Sequence, residues 1–163
     1  LAILAVLAGG WTLPAQSAEH CPNITTNTEL GNRLWKLLKE RAYSGLEDEL
    51  KLRLDRVDRG AESDEMLRMV LRSMLVAEPV YEPLLAEWIR LYPKSYLARV
   101  SRAFYHIDAG YAKRGSKFAD KTSEEQFQAM SREFVSAGAD LEVARGLHEN
   151  PTLVYALRIR IAR

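Results

Sequence analysis

From Thr28 onward the apolar positions recur every three or four residues, the spacing that lines one face of an α-helix. Leu30, Leu34, Leu37 and Leu38 form a first stripe. Ser44-Gly-Leu-Glu47 has the form of a capping box, in which a hydroxyl and a carboxylate satisfy the free N–H groups of a first helical turn. It predicts a second helix with Leu46, Leu50, Leu54 and Val57 on its apolar side, ended by Gly60. Ser63 is placed to cap a third helix that carries Leu67, Val70, Leu71 and Met74 and stops at Pro79. Pro83 suits the first turn of a fourth, whose buried set is Leu84, Leu85, Trp88, Ile89 and Tyr92, and Pro93 breaks it. Ser95 caps a fifth helix, in which Leu97, Val100, Phe104, Ile107 and Tyr111 run in steps of three and four. Thr122-Ser-Glu-Glu125 reads as another capping box. It opens a long helix with Phe127, Met130, Phe134, Ala137, Leu141, Ala144 and Leu147 on one side. Asn150-Pro151 ends that helix, and a last one starts at Thr152.

No segment alternates with a period of two, so no sheet is required and the chain is predicted to be all-α. Long helices joined by short capped links imply antiparallel helical hairpins, either closed into a bundle or stacked as a partial α-solenoid. The exception is GYAKRGSKFADKT, residues 110–122, which predicts an insert over 112–121 inside one hairpin. Gly110 and Gly115 would free the backbone to end the fifth helix early. Tyr111 and Phe118 would bury their rings against the hairpin and pin the insert to it. An insert so held either caps the end of an exposed core or carries partner contacts.

Two resemblances follow from particular residues. Ala137, Leu141, Ala144, Leu147 and Pro151, with Ala103 in the preceding helix, resemble the packing positions and terminal proline of a tetratricopeptide repeat. The turn between these helices is several times too long for a standard repeat, so a modified, tetratricopeptide-like hairpin is expected. A second set is Trp88-Ile-Arg-Leu-Tyr-Pro-Lys-Ser-Tyr96, Ala98-Arg99, Gly110-Tyr-Ala-Lys-Arg-Gly115, Phe118-Ala119, Thr122-x-x-Glu125 and Ala139-Asp-Leu-Glu142. It resembles the bacterial family known as domain of unknown function 4034, over roughly residues 30–163 and most specifically over 88–151. That resemblance implies a helical-repeat-like fold and brings no activity with it.

The first residues differ in kind from the rest. Leu1-Ala-Ile-Leu-Ala-Val-Leu-Ala8 is a short apolar run, followed by Gly-Gly, a proline and small residues up to Ala18. This is the order of a secretory signal, with Ala15 and Ser17 placed for cleavage before Ala18. The alternative is an uncleaved anchor, although the run is shorter than the roughly 20 apolar residues that span a bilayer. The division expected is a signal segment over 1–18, a mobile leader over 19–27 and a helical-repeat-like domain over 28–163. Leu1 in place of Met and a helical pattern still running at Arg163 read as a chain cut at both ends. Cys21, the single cysteine, offers no disulfide framework.

Apolar residues make up 47% and charged residues 28% of the chain, with a formal net charge of +1. That balance gives no basis for nucleic-acid binding. Charge is nevertheless uneven: residues 89–117 carry seven Lys/Arg against one acid, and residues 118–149 three against seven. Two neighbouring helices of opposite sign are expected to face each other.

None of the phosphate-loop, dinucleotide, serine-elbow or zinc motifs is present, and His20, His106 and His148 lie on separate segments. Neither a metal nor a cofactor is expected. His106-Ile-Asp108 cannot act as a pair, because residues two apart on a helix point in different directions. Glu47-Asp48-Glu49 reads as a solvated run at a helix start. The candidate binding residues are Arg99, Arg102, His106 and Lys113, which share one side of the fifth helix, joined by Arg114. They form a cationic groove for an acidic peptide, or else they pair with Glu133, Asp140 or Glu142 of the acidic helix. The function expected is that of an exported, non-enzymatic module that binds a protein or peptide and meets the membrane only through its signal segment. The alternative is a hydrolase-type enzyme whose site beside Arg99, Arg102 and His106 is completed by further C-terminal sequence.

Overall fold

A computed structural model describes residues 24–75 and 79–163. Among them are seven α-helices and no strand: α1 (Ile24–Lys39), α2 (Tyr43–Asp58), α3 (Asp64–Met74), α4 (Tyr81–Leu91), α5 (Tyr96–Arg114), α6 (Glu124–Arg145) and α7 (Thr152–Ile161). The expected all-α class of helical hairpins is observed. The expected signal segment, Cys21 and His20 lie outside the described residues, whereas the last residues of the expected leader belong to α1.

The apolar stripes pack into one continuous core in which Leu34, Leu50, Leu71, Leu85, Trp88, Val100 and Leu141 are fully buried. α5 and α6 form the most extensive helix pair, an antiparallel hairpin, and α7 returns against both. Tyr111 donates its hydroxyl to the Arg160 carbonyl at 2.7 Å, and Arg160 pairs with Asp108, which fastens α7 to α5. In the N-terminal half α1 packs more extensively on α3 than on α2. Their crossing is close at Gly31, where an added Cβ would lie 2.1 Å from Ser73 Oγ.

Ser63 and Ser95 cap α3 and α5 as expected, accepting from Met66 N at 3.3 Å and Ala98 N at 3.0 Å. Two expected caps are corrected. The box before α6 is formed by Ser123 and Gln126, one residue beyond Thr122 and Glu125. The box expected at Ser44 and Glu47 does not form: α2 is entered through Ala42, after Arg41 in a left-handed conformation at φ 57°. Glu47 is then free to turn inward.

The insert is also corrected. α5 runs through Gly110 and Tyr111 to Arg114, and Gly115, at φ 78°, ends it, so only residues 115–123 interrupt the hairpin. Gly110 lies inside the helix, where an added Cβ would come within 2.8 Å of the Phe134 ring. Its role is close packing of α5 on α6, not termination. Tyr111 packs edge-on against Phe134 at 5.3 Å between ring centroids, but Phe118 is 83% exposed and pins nothing. Polar contacts hold the insert instead: Gln126 donates to the Arg114 carbonyl at 3.1 Å, and Thr122 Oγ1 donates to the Phe118 carbonyl at 3.0 Å.

Candidate functional site

The cations of α5 face α6, and their geometry is that of the paired alternative. Arg102 grips Asp140 in a fork, Nε to Oδ2 at 2.6 Å and Nη2 to Oδ1 at 2.8 Å, while Arg99 Nη1 reaches Oδ1 at 2.9 Å. Asp140 is 1% exposed, so its charge depends on these two guanidiniums in place of water. Arg99 Nε is buried with no acceptor among the described residues. One helical turn further on, His106 Nδ1 lies 2.7 Å from Glu133, which also takes Lys113. Burial alone would raise the Glu133 carboxyl, but hydrogen bonds from Lys113 and His106 outweigh it and hold the group below its ordinary value. Arg114 has no carboxylate partner among the described residues and lies over the Phe127 ring, 5.7 Å from its centroid.

On another part of the molecule, α2, the α4–α5 turn and the α6–α7 turn enclose a cavity of about 430 Å³. A second cavity, of about 270 Å³, adjoins it and shares Leu54, Tyr96 and His148 as lining, so the two form one groove. Leu54, Leu91, Leu97 and Leu147 supply apolar surface. Tyr96 is buried at the centre, close to the backbone of Leu153 and Val154 at the start of α7. Burial, reinforced by the nearby Asp64 charge, pushes this phenol well above its ordinary value. His148 stacks on the Tyr96 ring at 4.8 Å, and its Nε2 lies 3.0 Å from Asp58 Oδ1, which ties the α6–α7 turn to the end of α2.

Glu47 forms part of the cavity wall. It is 3% exposed, and its Oε1 accepts from Trp88 Nε1 at 2.7 Å. Its solvated-run reading is overturned by register: Tyr43, Glu47, Leu50, Leu54 and Val57 follow steps of four and three along the inward side of α2. That register was the available signal for Glu47. His148, Asp58 and Tyr96 carried none, because they meet only when three distant segments converge.

No family model, curated protein sequence or solved structure matches this chain. Among the described residues no group of His, Cys, Asp and Glu is arranged to hold a metal ion. None of the described helices is long and apolar enough to cross a membrane.

Proposed function

We propose that this is an exported, non-enzymatic helical-repeat-like protein that binds a protein or peptide segment in the groove between α2, the α4–α5 turn and the α6–α7 turn. The observation that carries the reading is the groove itself: apolar side chains from three separate elements surround a cavity large enough for a peptide side chain, with polar groups beside them. The tetratricopeptide-like arrangement and the resemblance to the family of unknown function 4034 belong to the same proposal. They support a stacked-hairpin scaffold and carry no activity. Arg99, Arg102, His106 and Lys113 serve in this reading to join α5 to α6, and Arg114 is left at the edge of the insert.

Selection of displayed peptides on the full chain tests the groove. The enriched sequences should lose binding to Leu91→Arg, whose side chain borders the cavity, and keep binding to Val135→Arg, an exposed position on α6. Enriched peptides indifferent to Leu91→Arg would refute the site. Export is tested by N-terminal sequencing of natively expressed protein, with a start at Ala18 or Glu19 expected.

One observation favours the enzymatic alternative, the His148–Asp58 pair, since a carboxylate-oriented imidazole is the common form of a general base. Against it, the Ser95 hydroxyl, which lines the same cavity, is committed to capping α5. Hydrolysis of ester or peptide substrates that is abolished in His148→Ala would establish that alternative.

A further inference from the structure

Within the groove, one group is chemically out of place. Glu47 occupies an inward position on α2 between Tyr43 and Leu50, both buried, and is itself 3% exposed. A carboxylate withdrawn from water this far requires cationic or hydrogen-bonding partners. Only Oε1 has a hydrogen bond among the described residues, from Trp88. The nearest cation to Oε2 is Lys51 Nζ, at 3.9 Å, beyond hydrogen-bonding distance, on a side chain that is 65% exposed. Oε2 is therefore the oxygen left for whatever enters the cavity that Glu47 lines.

The surrounding charges agree. Asp58 and Asp64 line the adjoining cavity, Asp58 facing His148 and Asp64 having no cationic partner among the described residues. Two lysines, Lys51 and Lys94, border the groove beside the His148 imidazole; both are exposed, whereas Glu47 is held in place by Trp88. Exposed lysines swing into solvent at little cost, because an exposed ion pair contributes little. A buried, positioned carboxylate has no such freedom. Leu54, Tyr92 and Leu97 provide apolar wall along which the stem of a long basic side chain can lie.

We infer that the groove recognises a basic side chain, Lys or Arg, of a peptide segment, its cation bonded to Glu47 Oε2 and displacing Lys51. This rests on the peptide-binding reading and deepens it. The recognised charge is opposite to that expected for the α5 cations.

The test is a titration of the isotopically labelled full chain with three blocked pentapeptides, identical except for Arg, Glu or Leu at the centre of four leucines. The Trp88 indole N–H, bonded to Glu47, is the reporter. The Arg peptide should shift it and bind at least tenfold more tightly than the Glu peptide. Glu47→Gln keeps an acceptor for Trp88 but loses the charge, and should weaken the Arg peptide at least tenfold. Lys51→Ala removes the competing cation and should leave that affinity unchanged or raise it. Preference for the Glu peptide, or weaker Arg binding in Lys51→Ala, would overturn the inference. Equal binding of all three peptides at the groove would overturn it while sparing the peptide-binding reading. If none of them moves any groove resonance, both fail.

Discussion

Replacing Asp140 with Ala is the sharpest probe of how the α5–α6 hairpin is held. The carboxylate is 1% exposed and accepts three charge-assisted hydrogen bonds, two from Arg102 and one from Arg99. Its removal leaves two guanidiniums facing each other without a bonded carboxylate, Glu82 acting on Arg102 only at a distance. Breaking a buried ion pair from one side costs about 3–5 kcal/mol. Here the arginine side chains retain 21% and 22% exposure, so each recovers some hydration and the lower end, about 3 kcal/mol, is expected. For a chain of 163 residues each kcal/mol lowers Tm by roughly 2–4 °C, so the midpoint should fall by about 6–12 °C. Urea unfolding followed by far-ultraviolet circular dichroism measures the loss directly, with the slope expected to stay near wild type. The triple variant Asp140→Leu, Arg102→Leu and Arg99→Leu should recover part of it, since an apolar set carries no stranded charge. A loss below about 1 kcal/mol, the size expected of an exposed ion pair, would refute the argument that burial makes this contact matter.

Gly110→Ala should destabilise by about 1–2 kcal/mol, since the new Cβ would meet Phe134 at 2.8 Å and Glu133 Cβ at 3.2 Å, outweighing the gain in helix propensity; a neutral or stabilising result by urea unfolding would contradict the close packing. Phe118→Ala should change stability by no more than about 0.5 kcal/mol, because an 83% exposed ring has little burial to lose. Glu133 has a lowered folded-state pKa, so it contributes stability above the ordinary value of 4.5 and loses it as pH falls through the lower folded value. Glu133→Gln should therefore flatten the stability profile below about pH 4.5, and an unchanged acid limb would count against the His106–Glu133–Lys113 contact.

The apolar periodicity, the Ser63 and Ser95 caps and the lack of any alternating segment were enough to determine the helices and the all-α class. Each depends on residues within a turn or two, where 3.6-residue geometry and N-terminal hydrogen bonding act without reference to the rest of the chain. The opposite charges of residues 89–117 and 118–149 likewise foreshadowed the pairing of Arg99 and Arg102 with Asp140. The tertiary structure decided the rest. Glu47 looked like half of a local cap, but its partner is Trp88, 41 positions away, and that competition is settled only when the Trp88 side chain of α4 reaches α2. Phe118 was expected to be buried on size alone, yet burial needs a facing surface, and the polar ties of Gln126 and Thr122 hold the insert without one. Gly110 was read as a helix terminator when the reason for its missing side chain lay across the hairpin, in the Phe134 ring. A sequence displays the periodicity of a face, whereas which atoms meet that face depends on how separate helices cross.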